Sequence, residues 1–495
     1  MRRLAAGLAL LGVLAAGCGT GSSEGSPPAP HPSGAAGAPA DAGTSAYDAA
    51  VSEPREDTVY PDVGDPGVDA LHYGLDLRWD AHAQRLTATE TLLFRAAVTA
   101  DHVQLDLARQ LQVGHVWLDG KAVAFQHPGK DVVVSSPVQA GSRHVLQLTY
   151  AGAPEPVVAP TDRPDFTTTG WTIARDGTVW TMQEPYGAYS WYAVNDQPSD
   201  KAFYDVTIHA PKGQVGVSNG QLLSRTSSAA GTVTRWRLPE PAASYLITIA
   251  IGHYTRTLDT GPHGLPISYW TPSDQPELVK GLRYTPRAIA YLERKVGRYP
   301  FPTLGVLLVP SLSAMETQSM VTLGIGDYTL SRDVLVHEFA HQWYGDTVTP
   351  DDWSDLWMNE GMATYLAEAS WTSTHGPKSL DAILGEWASA AAGMRSEYGA
   401  PAAYRPGTFG EGNVYYIPAL MWDTLRQRLG DDRFWALATR WLHTHRFTSQ
   451  DRDSLAAWWT KASGQDLTAF FHSWLLGPQE PTWHAGSSVD VPSRR

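Results

Sequence analysis

The sequence predicts a multidomain protein in which an antiparallel β domain precedes an α+β domain. The chain has 495 residues, which is enough for two or three separate cores. From about residue 57 to 258 apolar residues alternate with polar ones, and after about residue 259 they recur at helical spacing. Hydrophobic residues make up 43% of the chain and charged residues 18%, a composition typical of a globular protein.

The first eighteen residues have the pattern of an export signal. Arg2 and Arg3 precede an apolar run that ends at Cys18 and is too short to span a bilayer. Ala16 and Gly17 before the cysteine resemble a bacterial lipobox, in which Cys18 becomes a lipidated N-terminus; an ordinary signal peptide with an incidental cysteine is the alternative. We expect residues 1–18 to be a lipoprotein signal peptide and the protein to lie on the outer face of the cell membrane, attached only through Cys18.

Composition and charge restrict the remaining possibilities. Residues 19–56 are mainly Gly, Ser, Pro and Ala, which predicts a flexible tether. The formal net charge of −14 offers no concentrated basic surface, so we expect no nucleic-acid partner. Cys18 is the only cysteine, so the chain has no internal disulfide and depends on packing and bound metal for stability.

Residues 57–258 form the predicted β domain. Apolar side chains occupy every second position over 73–79, 103–107 and 204–208. Turn sequences such as Leu118-Asp119-Gly120-Lys121 separate these runs. Short alternating strands joined by turns indicate an antiparallel sandwich or open barrel.

Residues 259–485 form the predicted α+β domain. The run Leu304–Val309 is typical of a strand. Apolar residues at helical spacing predict helices over 277–296, 333–345, 360–372, 417–429, 433–443, 455–462 and 467–476. The second half is therefore predicted to be mainly helical with a small sheet.

The helix predicted over 333–345 contains the motif H-E-x-x-H, with His337, Glu338 and His341. Positions i and i+4 lie on one face of a helix, so both imidazoles can bind one Zn²⁺. Glu338 is then placed to take a proton from an attacking water instead of binding the metal. Two solvent-facing histidines on a helix are the alternative.

A third ligand supports the metal site. Glu360, in Asn359-Glu360-Gly361, stands nineteen positions after His341 at the head of the next predicted helix. Two histidines and one carboxylate leave a fourth coordination position open, which is the arrangement of a catalytic zinc. The pattern therefore predicts one Zn²⁺ per chain, with the chemistry of a zinc metallopeptidase.

These motifs resemble those of the aminopeptidase N family of gluzincins. The sequences H-E-F-A-H-Q-W-Y-G-D at 337–346 and N-E-G at 359–361 follow its HExxH-x18-E pattern. The resemblance covers nearly the whole mature chain and implies a saddle-like β domain followed by a thermolysin-like catalytic domain. We expect this chain to be a secreted lipoprotein form without the large C-terminal helical domain of longer members.

The resemblance also implies a site for the substrate's free amine. The family motif G-x-M-E-N, on an edge strand, matches 313–317, where Ser313 and Thr317 replace the glycine and the asparagine. Glu316 would then bind the α-amino group, and Ala314 and Met315 would contact the substrate. A glutamate exposed on an edge strand is the alternative.

The β domain of the family adds a Gln or Glu to the amine site, a fixed distance before an Asp-x-Pro. Counting back from Asp196 reaches Glu184, with Gln183 as the adjacent alternative. A turn residue before Pro185, with no role in binding, is the alternative to both.

The resemblance implies a tyrosine that donates to the developing oxyanion, within Y-x-x-G-A. Here the match is Tyr415, if Pro418 replaces the glycine, and Tyr416 is the rival. The alternative is that both tyrosines only pack.

Three functions remain open at this point. The first is an aminopeptidase that removes N-terminal residues from peptides with a free N-terminus. The second is a zinc endopeptidase with an open cleft. The third is a non-catalytic, lipid-anchored binding protein on a peptidase fold.

Overall fold

The computed structural model describes residues 45–486. In its β region, buried and exposed side chains alternate along the strands. In the strand Val68–Asp80, Leu75, Leu77 and Trp79 are buried, whereas Arg78 and Asp80 are exposed. This strand lies inside an eight-stranded sheet with the order Gln221–Ser228, Gly231–Ala243, Lys201–Ala210, Val68–Asp80, Arg85–Ala96, Arg143–Gly152, Leu111–Leu118, Lys121–Ala122. Neighbouring strands of this sheet are antiparallel, except that Val68–Asp80 pairs in parallel with Lys201–Ala210.

Two smaller sheets complete the β region. One has the order Val215–Ser218, Ile249–Gly252, Val179–Met182, Thr168–Ile173, Val157–Val158, and the other the order Val103–Asp106, Asp131–Val134, Phe125–Gln126. Residues 159–167, which we call the Arg163 loop, join the strands Val157–Val158 and Thr168–Ile173.

The second region contains a sheet of its own. Its order is Tyr254–Thr260, Pro266–Pro272, Leu304–Val309, Met320–Gly324, Ala314–Met315. The three central strands are parallel, and Leu304–Val309 and Met320–Gly324 are fully buried, so these two lack the alternation that marks a half-exposed strand. This explains why only Leu304–Val309 is evident in the sequence. The strand Tyr254–Thr260 crosses the predicted boundary at 258/259.

Helices cover this sheet and continue beyond it. They are Val279–Leu282, Thr285–Val296, Arg332–His341, Trp357–Thr364, Thr372–His375, Leu380–Tyr398, Gly412–Leu429, Asp431–Thr444, Arg452–Ser463 and Thr468–Leu475, with a π-helical segment at Tyr365–Trp371. The short pairs Val348–Pro350 with Thr448–Gln450 and Gly399–Ala400 with Ala403–Tyr404 lie between them. The β region followed by an α+β region confirms the predicted fold class.

Two predicted helices differ clearly from the structure, and one observed helix was not predicted. The helix predicted over 277–296 is broken between Leu282 and Thr285. The helix predicted from residue 417 begins at Gly412, so Pro418 lies inside it and not near its start. The helix Leu380–Tyr398 was missed because it buries only Ile383, Leu384, Ala391 and Arg395, too narrow a face to give a clear apolar period.

The predicted tether is too long at its C-terminal end. Residues 45–50 form a 3₁₀ helix, and Ala50 packs with Leu71 and Leu93 in a small buried cluster. The backbone N–H of Ser52 donates to Asp69 Oδ1 at 3.0 Å. Cys18 and the remaining export-signal residues lie outside the described residues. Among the helices within 45–486, none is both long and apolar enough to cross a membrane.

One buried core joins the two regions. The rings of Tyr245 and Trp353 lie 4.9 Å apart within it. Lys201 of the β region is buried, and its Nζ donates to the carbonyl of Asp346 at 2.8 Å. The β region is therefore fixed against the elements that carry the HExxH motif.

Candidate active site

The HExxH motif lies in the buried part of a helix. This ligand helix, Arg332–His341, begins at Ser331, whose Oγ accepts from the N–H of Val334 at 3.4 Å. Every residue from Leu335 to His341 is buried. Close packing on all sides fixes the rotamers that a preorganised metal site requires.

Three side chains on two helices meet at one point. His337 Nε2 lies 3.0 Å from His341 Nε2, and Glu360 Oε2 lies 3.1 Å from His337 Nε2 and 3.3 Å from His341 Nε2. Ligand atoms about 2.0–2.1 Å from a tetrahedral zinc are separated by roughly 3.3 Å, so the spacing fits this ion. The Nδ1 of His341 lies 3.1 Å from the carbonyl of Tyr344, a contact that orients the ring.

Glu316 and Glu338 lie beside this trio. Oxygen atoms of both carboxylates and a ring nitrogen of His341 all lie within 4.8 Å of one another. Both glutamates are buried, with Glu316 only 3% exposed, which excludes the solvent-exposed alternative for Glu316. Ala314 and Met315, the edge strand that precedes it, line the same cavity.

Gln342 attaches the edge-strand segment to the ligand helix. Its Nε2 donates to the carbonyl of Glu316 at 2.9 Å, and its Oε1 accepts from the N–H of Ser319 at 2.8 Å. The position of Glu316 is thus set from the residue that follows His341. Gln342 directly follows the HExxH motif, so its position is evident in the sequence. The sequence does not show which groups its side chain contacts.

Glu184 and Gln183 face different environments. Gln183 is fully engaged in the β region, with Nε2 donating to the carbonyls of Ser244 and Ile247 and Oε1 accepting from Trp191. Glu184 lines the cavity with Glu316. Of the two alternatives, the structure places Glu184 and not Gln183 in the cavity with Glu316.

Burial and mutual repulsion dominate the electrostatics here. Burial, reinforced by Glu316, raises the pKa of Glu184 well above its ordinary value. Burial likewise raises the pKa of Glu316 and of Glu338. Several carboxylates in one water-poor site favour the binding of positive charge, and a divalent cation and an ammonium group both supply it.

Tyr415 lies against His337 of the trio. Its ring centre is 6.1 Å from that of His337 and its hydroxyl oxygen accepts from Arg163 Nη1 at 3.3 Å. Tyr416 also lines the cavity, and its ring packs 5.0 Å from Trp387. Gly361 of the Glu360 helix, Trp357–Thr364, packs against Pro418 of the Tyr415 helix, Gly412–Leu429, which sets the distance between these helices.

A cavity of about 260 Å³ contains all the predicted site residues. It lies between the β region, which supplies Arg163, Asp165, Phe166 and Glu184, and the α+β region, which supplies the other lining residues.

Two further residues of the site were not predicted. Glu368, on the π-helical segment, has Oε1 4.0 Å from Nδ1 of His337. Glu368 lies about two helical turns after Glu360, so helical spacing in the sequence could have indicated that it lies near the site. Arg163 comes from a loop of the other region, and nothing near it in the sequence points to the site.

Models of two family domains match this chain. The Peptidase M1 N-terminal domain matches residues 69–246, and the Peptidase family M1 domain matches residues 281–474. Together the two matches cover well over half of the chain, and their order is that of the β and α+β regions.

Several curated relatives are longer proteins, and this chain matches part of each. Aminopeptidase N of Streptomyces lividans is 24% identical over 456 residues, which is 82% of this chain and 50% of that protein. Probable aminopeptidase 1 of Sulfurisphaera tokodaii is 25% identical over 309 residues, 58% of this chain and 36% of that protein. The chain thus spans about a third to a half of the length of these relatives.

Solved structures share the fold. The M1 zinc metallopeptidase from Deinococcus radiodurans superposes with a TM-score of 0.76 at 24% identity, covering 86% of this chain and 98% of that one. The two domain models, the ligand trio on adjacent helices and this shared architecture agree with one another. The chain belongs to peptidase family M1.

Proposed function

We propose that this chain is a zinc-dependent aminopeptidase that removes the N-terminal residue from peptides. The observation that carries the proposal is the pair of buried carboxylates, Glu316 and Glu184, beside the ligand trio. They form an acceptor for one ammonium group at a fixed distance from the site of hydrolysis. A crystal structure of the relative from Deinococcus radiodurans holds a Tyr-Ser-Ala substrate, which supports a peptide as ligand here.

His337, His341 and Glu360 would hold the metal. Zinc in such a site polarises the scissile carbonyl and makes water acidic enough to attack at neutral pH. Glu338 takes the proton of the attacking water and passes it to the leaving amine. Tyr415 donates a hydrogen bond from its hydroxyl to the carbonyl oxygen as negative charge develops there and keeps its proton.

The test compares peptides that differ only at the N-terminus. The zinc-loaded protein is given one short peptide with a free amine and the same peptide acetylated, and products are identified by mass spectrometry. We expect release of the first residue from the free peptide only. Equal internal cleavage of both would establish the endopeptidase alternative, and no cleavage of either would favour the non-catalytic one.

We further propose that Cys18 is lipidated, that residues 1–17 are removed so that it becomes the N-terminus, and that the residues after it tether the enzyme to the membrane surface. The proposal rests on the lipobox pattern of the sequence. Expression of the full chain in a bacterium with an alkyne-labelled fatty acid should label the wild type and leave Cys18→Ser unlabelled. Equal labelling of the two would contradict it.

A further inference from the structure

Arg163 crosses from the β region to the hydroxyl of Tyr415. Besides the contacts of the arginine, two hydrogen bonds join the Arg163 loop to the segment that precedes the Tyr415 helix. Thr161 Oγ1 donates to the carbonyl of Phe409 at 2.8 Å, and the N–H of Phe409 donates to the carbonyl of Pro160 at 3.1 Å. The guanidinium therefore reaches the site from an anchored backbone.

The guanidinium has little donor capacity left. Its Nη2 and Nε donate to Asp165 at 2.7 and 3.3 Å. Its Nη1 donates to the carbonyl of Gly410 at 3.0 Å and to Tyr415 Oη at 3.3 Å. These contacts use four of the five N–H groups of an arginine, so Arg163 is held as a fixed charge and is poorly suited to bind substrate directly.

The contact determines where the proton of Tyr415 points. An N–H that donates to a phenol oxygen occupies one of its acceptor positions and leaves the O–H free to turn toward the cavity. Burial, with Glu360 and Glu184, disfavours negative charge on Tyr415, and the positive charge of Arg163 opposes that effect. Because the guanidinium donates to the phenol oxygen, its charge also makes the hydroxyl a stronger donor to an oxygen beside it.

We propose that Arg163 is a positioning residue that orients the hydroxyl of Tyr415 toward the developing oxyanion, and that its fixed positive charge acts through that hydroxyl. The inference rests on the proposed aminopeptidase function. The β region would then stabilise the transition state in addition to binding the substrate amine.

Steady-state kinetics of Arg163→Met, Arg163→Lys, Tyr415→Phe and the double variant Arg163→Met/Tyr415→Phe test the inference. We expect Arg163→Met to lower kcat by about 10- to 100-fold with KM nearly unchanged, and Arg163→Lys to recover part of the loss. Once Tyr415 lacks its hydroxyl, removing Arg163 should lower kcat by less than about 3-fold. Additive losses in the double variant would overturn the inference.

Arg237→Met is the matched control. Arg237 also belongs to the β region and pairs with an aspartate, since its Nε donates to Asp205 at 2.8 Å, but it does not line the cavity. Its variant should keep the kcat of the wild type. An equal fall in both variants would show that the loss at Arg163 is a general destabilisation.

Ligand binding separates this inference from the proposed function. A phosphinic dipeptide analogue carries tetrahedral oxygens at the reacting position, whereas a primary alkylamine offers the amine site a ligand that carries no oxygen. Arg163→Met should weaken binding of the analogue by about 10-fold or more and leave binding of the amine unchanged. Equal weakening of both ligands would overturn the role of Arg163. Wild-type protein that binds both ligands in this pattern but hydrolyses no peptide would overturn only the proposed function.

Discussion

At the scale of single residues, the site depends on carboxylates with different tasks in one small volume. Glu360 joins two histidines, whereas Glu316 and Glu338 lie within reach of His341 but outside the trio. Burial raises the pKa of Glu316 and of Glu338, so each needs a positive partner to stay ionised. The amine and the metal are those partners in the proposed function.

Glu338→Gln removes the proposed base while keeping the shape of the side chain. We expect kcat to fall by about 100- to 10,000-fold with the metal content unchanged, because glutamine cannot accept the proton of water. Elemental analysis and peptide hydrolysis on the same preparation check this. Full activity of a metal-loaded Glu338→Gln would contradict the proposed role.

Glu316→Gln tests the amine site. Loss of the carboxylate leaves the substrate ammonium without its charged partner, so kcat/KM for peptides with a free amine should fall by about 10- to 1,000-fold. Binding of an acetylated peptide should change little, since that ligand carries no ammonium. A parallel loss for both ligands would indicate damage to the cavity and not the loss of an amine partner.

At the scale of elements, the contact of Gly361 with Pro418 sets the spacing of the Glu360 helix and the Tyr415 helix. A Cβ added at Gly361 would meet Cβ of Pro418 at 2.3 Å, closer than atoms can approach. Pro418 has no N–H, so the Tyr415 helix lacks the hydrogen bond that this position would give. The glycine next to a metal ligand is therefore required by packing.

Gly361→Ala should separate these helices and displace Glu360. We expect metal affinity to fall by about 10-fold or more and the unfolding free energy to fall by roughly 1–3 kcal/mol. Competition with a chelator and thermal unfolding measure the two effects. Gly393→Ala is the control, since an added Cβ there meets nothing within 4 Å and the helix Leu380–Tyr398 should gain about 0.5–1 kcal/mol.

Glu90, on the strand Arg85–Ala96, makes stability depend on pH. It accepts from Tyr150 Oη and from the N–H of Ala193, both at 2.9 Å, and burial raises its pKa to about 8. The folded state holds this proton up to a higher pH than the unfolded state. The stability that protonation contributes is complete below the ordinary pKa of 4.5 and is lost as pH rises through about 8.

Glu90→Gln should remove this dependence. Relative to wild type, the variant should gain on the order of a few kcal/mol in unfolding free energy between pH 5 and pH 9, since each unit of pKa shift corresponds to about 1.4 kcal/mol. Denaturant unfolding at both pH values measures the difference. A constant difference across this range would show that Glu90 titrates normally in the folded protein.

At the scale of the whole molecule, the two regions share one core and one site. The Nδ2 of Asn219 in the β region donates to the carbonyl of Gln318 at 2.8 Å, and Lys201 donates to the carbonyl of Asp346. Burial lowers the pKa of Lys201 to about 7. Such contacts bind the two regions into one cooperative structure.

Calorimetry should therefore show one unfolding transition for the zinc-loaded protein. Asn219→Ala, which removes a donor across the shared core, should lower the temperature of that transition without splitting it. Because the cavity needs residues from both regions, hydrolytic activity should be lost over the same temperature range. Two transitions separated by more than about 10 °C would contradict a shared core.

The sequence predicts elements best where their pattern is local. The strand Leu304–Val309 has the bounds that were predicted, and the fold class is confirmed. The strand Met320–Gly324 and the helix Leu380–Tyr398 were missed, because one is buried on both faces and the other on very little of its surface. Which faces of these two elements are buried depends on neighbours that are distant in the chain.

The sequence by itself determined the family, the order of the two regions and a set of residues whose spacing on helices suits one metal ion. Helical geometry is local, so positions i and i+4 carry that information without tertiary contacts. Only the tertiary structure decided that Glu184 and not Gln183 faces the cavity, and that Arg163 reaches Tyr415. These placements depend on packing between segments up to 252 positions apart, and local periodicity does not encode such contacts.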